Sequence, residues 1–352
     1  MTFDLQKLVR GNIKRLKPYS SARSEFVDEA EVFLDANENA FGSPAGRGYN
    51  RYPDPLQIEL KRRIAEMNEV LPSEIFAGNG SDEAIDLLYR IFCEPGQDEA
   101  IICPPTYGMY RVSADINDVA VREIRLTDDF QLSVQAILSG ITDATKLIFI
   151  CSPNNPTGNL MRRESIIEIA ENFNGIVIVD EAYIHFADEL TMTAELNRLP
   201  NLVVLQTFSK AWGMAGLRVG LAFANSEIIE LMNRVKPPYN VSGIAQNALF
   251  RALGEKSKID DWIASTLKQR AKLVDAFDRF GFVEKVHPSD ANFVLVKTTD
   301  ADAIYRFLIK EKIVVRNRSN VELCEGCLRI TVGTANENDR LISSLGRFEK
   351  ST

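Results

Sequence analysis

The sequence predicts an α/β protein: a mostly parallel seven-stranded sheet flanked by helices, with a smaller α+β lobe formed by the C-terminal part and the N-terminal segment. Three observations carry that expectation. Seven short apolar runs, at 74–77, 100–103, 121–124, 146–151, 176–179, 202–206 and 219–224, include several that are β-branched and apolar on consecutive positions, the mark of strands covered on both faces. Segments of helical period lie between them, such as Ile85, Leu88, Tyr89 and Phe92 at i, i+3, i+4, i+7. After about residue 240 the strand–helix alternation gives way to a different order.

Taken along the chain, residues 1–33 read as an N-terminal segment that packs with the small lobe or with a dimer partner, and residues 34–242 as the large domain. Residues 243–352 read as the small lobe: a long polar helical stretch over about 243–280, then a strand at 292–297, a helix at 301–310, and strands at 313–316 and 328–332. Ligands of open α/β sheets bind at the carboxyl ends of the strands, so motifs that follow strands carry the most weight.

Composition removes several function classes. The 352 residues hold 41 Lys and Arg against 49 Asp and Glu, a net charge of -8 that argues against nucleic-acid and anionic-membrane binding. No apolar run approaches the ~18 residues of a membrane span. The first 23 residues carry no apolar core of a secretory signal, and five cysteines, an odd number, point to reduced thiols and a cytoplasmic enzyme. With only two histidines, His185 and His287, a three-His zinc centre is excluded. Cys324 and Cys327 have CxxC spacing, but no second pair or nearby His completes a metal site, and the strand directly after them is the wrong context for a redox motif; they read as turn cysteines.

Four segments following strands carry the candidate chemistry. Gly78-Asn79-Gly80-Ser81-Asp82-Glu83 places glycines before a helix, where free backbone N–H groups form an anion site, although such a loop alone is weak evidence. Ser152-Pro153-Asn154-Asn155-Pro156-Thr157-Gly158 reads by itself as a tight loop. In Val179-Asp180-Glu181-Ala182-Tyr183 a carboxylate ends an apolar strand, as a helix cap or as the partner of a cationic ring nitrogen, with a phenol nearby. In Thr207-Phe208-Ser209-Lys210, with Arg218 following, the lysine is either a solvated loop charge or a desolvated amine able to form a Schiff base, and Thr207, Ser209 and Arg218 suit a phosphate.

Together these segments resemble the fold-type I pyridoxal-phosphate aminotransferases, and within them the histidinol-phosphate aminotransferases. The resemblance extends through Lys17-Pro18-Tyr19, LDANEN at 34–39, RYPDP at 51–55, Pro105-Thr106-Tyr107, FSKAWGMAGLRVG at 208–220, PPYNVS at 237–242, PSDANF at 288–293 and LRITVG at 328–333. It implies pyridoxal 5'-phosphate as cofactor, with Lys210 as the Schiff-base lysine, Asp180 as the partner of the pyridine nitrogen, and Tyr183 and Asn155 on the phenolic oxygen. It further implies that Tyr107 stacks on the ring, that Ser81, Asp82, Thr207, Ser209 and Arg218 hold the cofactor phosphate, and that Tyr52 reaches the phosphate of the other subunit of a homodimer. Arg316, Arg329, Tyr19, Tyr52 and Tyr107 are then the residues that meet the substrate.

The activity so implied is transamination of L-histidinol phosphate with 2-oxoglutarate, giving imidazole acetol phosphate and glutamate in histidine biosynthesis. Its rivals are an aromatic amino-acid aminotransferase, a threonine-phosphate decarboxylase and a non-catalytic cofactor-binding regulator; the complete lysine–aspartate–tyrosine set, and the lack of a spare DNA-binding segment, count against the last. Two departures stand out: the stretch 41–50 is shorter than usual in the family, and His185 occupies a position where an acidic residue is commoner, reading by itself as a satisfied loop polar group.

Overall fold

The computed structural model describes residues 3–19, 32–46 and 48–351. In chain order the first part contains α1 (Leu5–Leu8), α2 (Gly11–Arg15), α3 (Ile58–Asn68), β1 (Ile75–Gly78), α4 (Gly80–Phe92), β2 (Glu99–Ile102), α5 (Met109–Ile116), β3 (Ala120–Glu123) and α6 (Val134–Gly140). It continues with β4 (Thr145–Cys151), α7 (Arg163–Glu171), β5 (Ile176–Asp180), β6 (Leu202–Thr207), β7 (Gly220–Ala224) and α8 (Ser226–Val235). The seven strands form one sheet in the order β1-β7-β6-β5-β4-β2-β3. Only β7 runs against its neighbours; all other pairings are parallel.

The unbroken apolar runs have the expected cause. In β4, Leu147 and Phe149 enter the core layer shared with Ile85, Leu88 and Phe92 of α4, whereas Ile148 and Ile150 enter the opposite layer with Ile166 and Ile169 of α7. Successive side chains alternate faces, and both faces are dry.

The remaining elements are α9 (Gly243–Ala252), α10 (Lys256–Phe277), β8 (Val283–Val286), β9 (Phe293–Thr298), α11 (Ala301–Lys310), β10 (Arg316–Asn317), β11 (Cys327–Thr331) and α12 (Ala335–Ser351). Their strands form an antiparallel sheet in the order β10-β11-β9-β8, over a core that includes Phe277, Ile304, Leu341 and Leu345. The expected single helical stretch is divided by a 3₁₀ turn at Leu253–Glu255. The expected strand at 313–316 shrinks to Arg316–Asn317: Lys312 takes φ 60° after α11, and only Val315 of the apolar triplet is buried while Val314 points to solvent. β8 and α12 lie outside the sequence expectation; β8 is an edge strand with polar Glu284 and Lys285 at its centre.

The described part of the N-terminal segment corrects the expectation that it joins the small lobe. Leu5, Val9 and Ile13 share the core layer of α4 and α8 in the large domain. Arg10 ties the segment there: its N–H donates to Ile91 O at 3.0 Å, its Nη1 donates to Arg90 O at 2.9 Å, and its Nε pairs with Glu94 at 3.2 Å. The arginine thus satisfies carbonyls at the open C-terminal end of α4. Residues 20–31 of the same segment lie outside the described residues.

The two sheets are joined across a cleft. Leu160 N donates to Asp290 Oδ2 at 2.9 Å and Asp290 N donates to Gly158 O at 2.7 Å, so the 152–158 loop is fastened to the segment leading into β9.

Candidate active site

At the carboxyl ends of the central strands lies a cavity of about 650 Å³, walled on its far side by the β10–β11 hairpin. Asp180 ends β5 at its floor with 3% exposure. Its Oδ2 accepts a 2.8 Å hydrogen bond from the Tyr110 phenol on α5, and its Oδ1 accepts from Ala182 N at 3.0 Å. Burial pushes the carboxyl pKa up, while these two donors pull it back. Tyr110 itself is buried, stacked 4.9 Å from Phe149 and edge-on to Tyr107 at 5.5 Å.

Lys210 follows β6, and its Nζ stands 5.4 Å from the centre of the Tyr183 ring. Burial lowers its pKa, the Arg329 guanidinium lowers it further, and Asp180 opposes both. The amine is therefore easier to deprotonate than an ordinary lysine. Asn155 Nδ2 donates to the Tyr183 hydroxyl at 3.5 Å, bringing the 152–158 loop and the segment after β5 to one side of the cavity.

The other end of the cavity is built for an anion. Helix α4 starts at Gly80 with no side-chain cap, so its first N–H groups are open. Strand β7 passes against this start: a Cβ on Gly220 would stand 2.2 Å from Ser81 N, so only glycine permits the approach. Arg218, held at φ 53°, places Nη2 3.3 Å from Asp82 Oδ2 and donates from Nη1 to Ser209 Oγ at 3.4 Å. Thr207 Oγ1 accepts from Ser209 N at 3.0 Å, fixing the turn that carries both hydroxyls. Tyr107 donates to Asp82 Oδ1 at 3.1 Å.

Opposite this end, Arg316, Arg318 and Arg329 enter the cavity from the hairpin. Arg329 Nη1 donates to Asn155 Oδ1, and its guanidinium stacks 5.2 Å from the Phe293 ring. The buried Nε atoms of Arg318 and Arg329 have no hydrogen-bond partner. A buried uncapped donor set at one end, a buried carboxylate at the floor and a depressed lysine between them fit pyridoxal phosphate.

Twelve of the expected site residues therefore line one cavity: Lys210, Asp180, Tyr183 and Asn155, the phosphate set with Tyr107, and the two arginines Arg316 and Arg329. Tyr52 and Tyr19 do not. Tyr52 is half exposed and stacks on Tyr239 at 4.4 Å, and Tyr19 is exposed. The 41–50 stretch includes residue 47, which lies outside the described residues. His185 sits on the far side of the sheet, lining a second cavity of about 330 Å³ with Trp212 and Gln206; burial keeps its pKa low. Cys324 and Cys327 are buried free thiols, and no cluster able to hold a metal occurs among the described residues. Sequence reading missed Tyr110 and Arg318. Tyr110 reads as a core aromatic of an amphipathic helix, but Arg318 repeats Arg316 at strand spacing and was legible.

Residues 25–345 match the family described as aminotransferase class I and II. The histidinol-phosphate aminotransferase of Cytophaga hutchinsonii is 51% identical over 348 residues, covering 99% of this chain and 100% of that protein. Its namesake from Bacteroides fragilis is 50% identical over 98% of this chain and 99% of its own. Among solved structures, the histidinol-phosphate aminotransferase of Clostridium acetobutylicum superposes with a TM-score of 0.80 at 25% identity, over 86% of this chain and 92% of that one. The Sinorhizobium meliloti enzyme, solved in complex with pyridoxal-5'-phosphate, shares the fold with a TM-score of 0.80 at 23% identity, over 90% of both chains. The chain belongs to the class I and II aminotransferases, and within them to the histidinol-phosphate aminotransferase family.

Proposed function

We propose that the chain transfers the amino group of L-histidinol phosphate to 2-oxoglutarate, giving imidazole acetol phosphate and glutamate in histidine biosynthesis, with pyridoxal 5'-phosphate as cofactor. The observation that carries the substrate is the pair of arginines, Arg316 directly opposite Arg329 across the hairpin, facing the cavity from the side away from the cofactor-phosphate set. A phosphate in place of the usual amino-acid carboxylate needs a second cationic fork, and guanidinium supplies bidentate contacts to it.

When bound, the cofactor supplies an electron-withdrawing ring that acidifies the substrate C–H beside the amine. The chain supplies the rest. Asp180 would keep a proton at the cofactor's ring nitrogen, because its buried carboxylate is compensated best by a cation facing it. Lys210 would hold the cofactor through its aldehyde carbon and, once displaced there by the substrate amine, would be free to take the proton from the substrate carbon, a role suited to an amine whose pKa burial and neighbouring guanidinium groups depress. Tyr183 and Asn155 would orient the cofactor's phenolic oxygen, Tyr107 would lie against its ring, and Ser81, Asp82, Thr207, Ser209 and Arg218, which line the cavity at the start of α4, would hold its phosphate.

Tyr52 and Tyr19, away from the cavity in this chain, belong to the same reading as residues that complete the site in a homodimer. The five free thiols support a cytoplasmic location. The test is 2-oxoglutarate-dependent consumption of histidinol phosphate, run beside histidinol, phenylalanine and threonine phosphate. Turnover of phenylalanine above histidinol phosphate selects an aromatic aminotransferase, and carbon dioxide release from threonine phosphate selects a decarboxylase.

A further inference from the structure

Strand alternation puts Arg316 and Arg318 on one face of the hairpin, with Asn317 turned the other way to donate to Asp302. Arg329 stands directly across from Arg316 on the partner strand, so three guanidinium groups share one wall of the cavity. Like charges in such cross-strand positions destabilise a sheet. Burial lowers the pKa of Arg318 and of Arg329, and each is lowered further by its arginine neighbours.

The backbone of Arg318 is fully engaged, its N–H donating to Cys327 O at 2.9 Å and its carbonyl accepting from Val321 N at 2.8 Å. Its guanidinium makes no hydrogen bond or ion pair among the described residues, and its Nε is buried without a partner. Other half-buried arginines of this fold are satisfied: Arg163 pairs with Glu195 at 2.9 Å, and Arg270 donates to Ala291 O at 2.7 Å. A half-buried guanidinium beside two others, aimed into a cavity and unpaired, is an arrangement that a bound dianion would compensate.

We propose that Arg318 is a third arginine of the substrate-phosphate site, setting the preference for a phosphorylated over an unphosphorylated amine. This rests on the reading of function above. It separates Arg318 from a residue that merely shapes the hairpin, because the hairpin is held there by its backbone.

The experiment uses the cofactor-loaded native enzyme, Arg318→Gln and Arg318→Lys. For each, kcat/KM is measured with histidinol phosphate and with histidinol, and the inhibition constant of inorganic phosphate is measured against histidinol phosphate. The ratio of the two kcat/KM values is expected to fall about 10- to 100-fold in Arg318→Gln, mainly through KM of the phosphorylated amine, with a parallel rise in the phosphate inhibition constant. Arg318→Lys should recover part of both. A native enzyme that prefers histidinol phosphate, with the same ratio and phosphate inhibition in Arg318→Gln, overturns this proposal and leaves the function standing. A native enzyme without that preference overturns the function, and this proposal with it.

Discussion

The phenol of Tyr110 donates to Asp180 Oδ2 at 2.8 Å, and both groups are buried, 70 residues apart in sequence. The contact stabilises the ionised carboxylate against the burial that opposes it. A hydrogen bond to a charged group contributes about 1.5–3 kcal/mol. Tyr110→Phe is therefore expected to raise the Asp180 pKa, so that a higher pH is needed to ionise it. The acid limb of the kcat profile and the acid limb of the cofactor's absorbance titration should both move to higher pH. An unmoved pair of limbs would show that the contact has no bearing on Asp180.

Lys210 is expected to carry the cofactor. The enzyme should be yellow as purified, and borohydride reduction should fix the cofactor's mass on the peptide containing Lys210. Attachment to any other lysine rejects the assignment.

Glu181 gives a pH dependence of stability. It lies buried behind Asp180, accepting from Met192 N at 2.6 Å and Gln206 Nε2 at 3.0 Å, and burial pushes its pKa from 4.5 up to about 7. The unfolded chain releases this proton near 4.5 and the folded chain near 7, so within that window the folded state binds more protons. Stability contributed by this group therefore falls as pH rises from 4.5 to 7, and is fully lost above. Glu181→Gln removes the titration, at a pH-independent cost in hydrogen bonding. Denaturant melts of both proteins at pH 5 and pH 8 should show the mutant gaining up to about 3 kcal/mol relative to native at the higher pH. Parallel pH dependence in the two proteins would exclude a titrating Glu181.

The central sheet was legible because a strand covered on both faces has no alternative but a continuous apolar run: Ile176, Val177, Ile178 and Val179 are all fully buried. The candidate segments were legible because they follow strands, but Lys210 and Asp180 each had an ordinary structural reading there, and only the four segments together pointed to a shared site. Other features depend on partners distant in the chain. Val314 belongs to an apolar triplet yet faces solvent, since α11 ends in a left-handed Lys312 and the strand begins only at Arg316. The polar centre of β8 becomes a strand only by pairing with β9. Leu5 and Val9 find the large domain because Arg10 reaches the end of α4, a contact that no local pattern announces.

Tyr52 stacks on Tyr239 at the surface of the chain and leaves its hydroxyl clear of its own cavity. The expectation is a homodimer in which this hydroxyl reaches the partner's cofactor phosphate. Tyr52→Phe should weaken cofactor retention by about 3- to 10-fold, the loss of one hydrogen bond. Light scattering and activity measured along a dilution series decide the point, and a fully active monomer refutes the shared site.

Arg316 and Arg329 face each other across the hairpin but have different surroundings, so their loss should be distinguishable. Arg316 is exposed at the cavity mouth. Arg329 donates to Asn155 and is the strongest charged influence lowering the Lys210 pKa. On the proposed function each would make a charge-assisted contact to the substrate phosphate, so Arg316→Ala and Arg329→Ala should each lower the kcat/KM ratio of histidinol phosphate to histidinol by about one to two orders of magnitude. Only Arg329→Ala should also act on the base. With that guanidinium gone the Lys210 pKa rises, a smaller fraction of the amine is neutral at a given pH, and the kcat profile must shift to higher pH. Profiles that shift equally in both variants, or in neither, would separate Arg329 from Lys210 and leave it as a phosphate ligand alone.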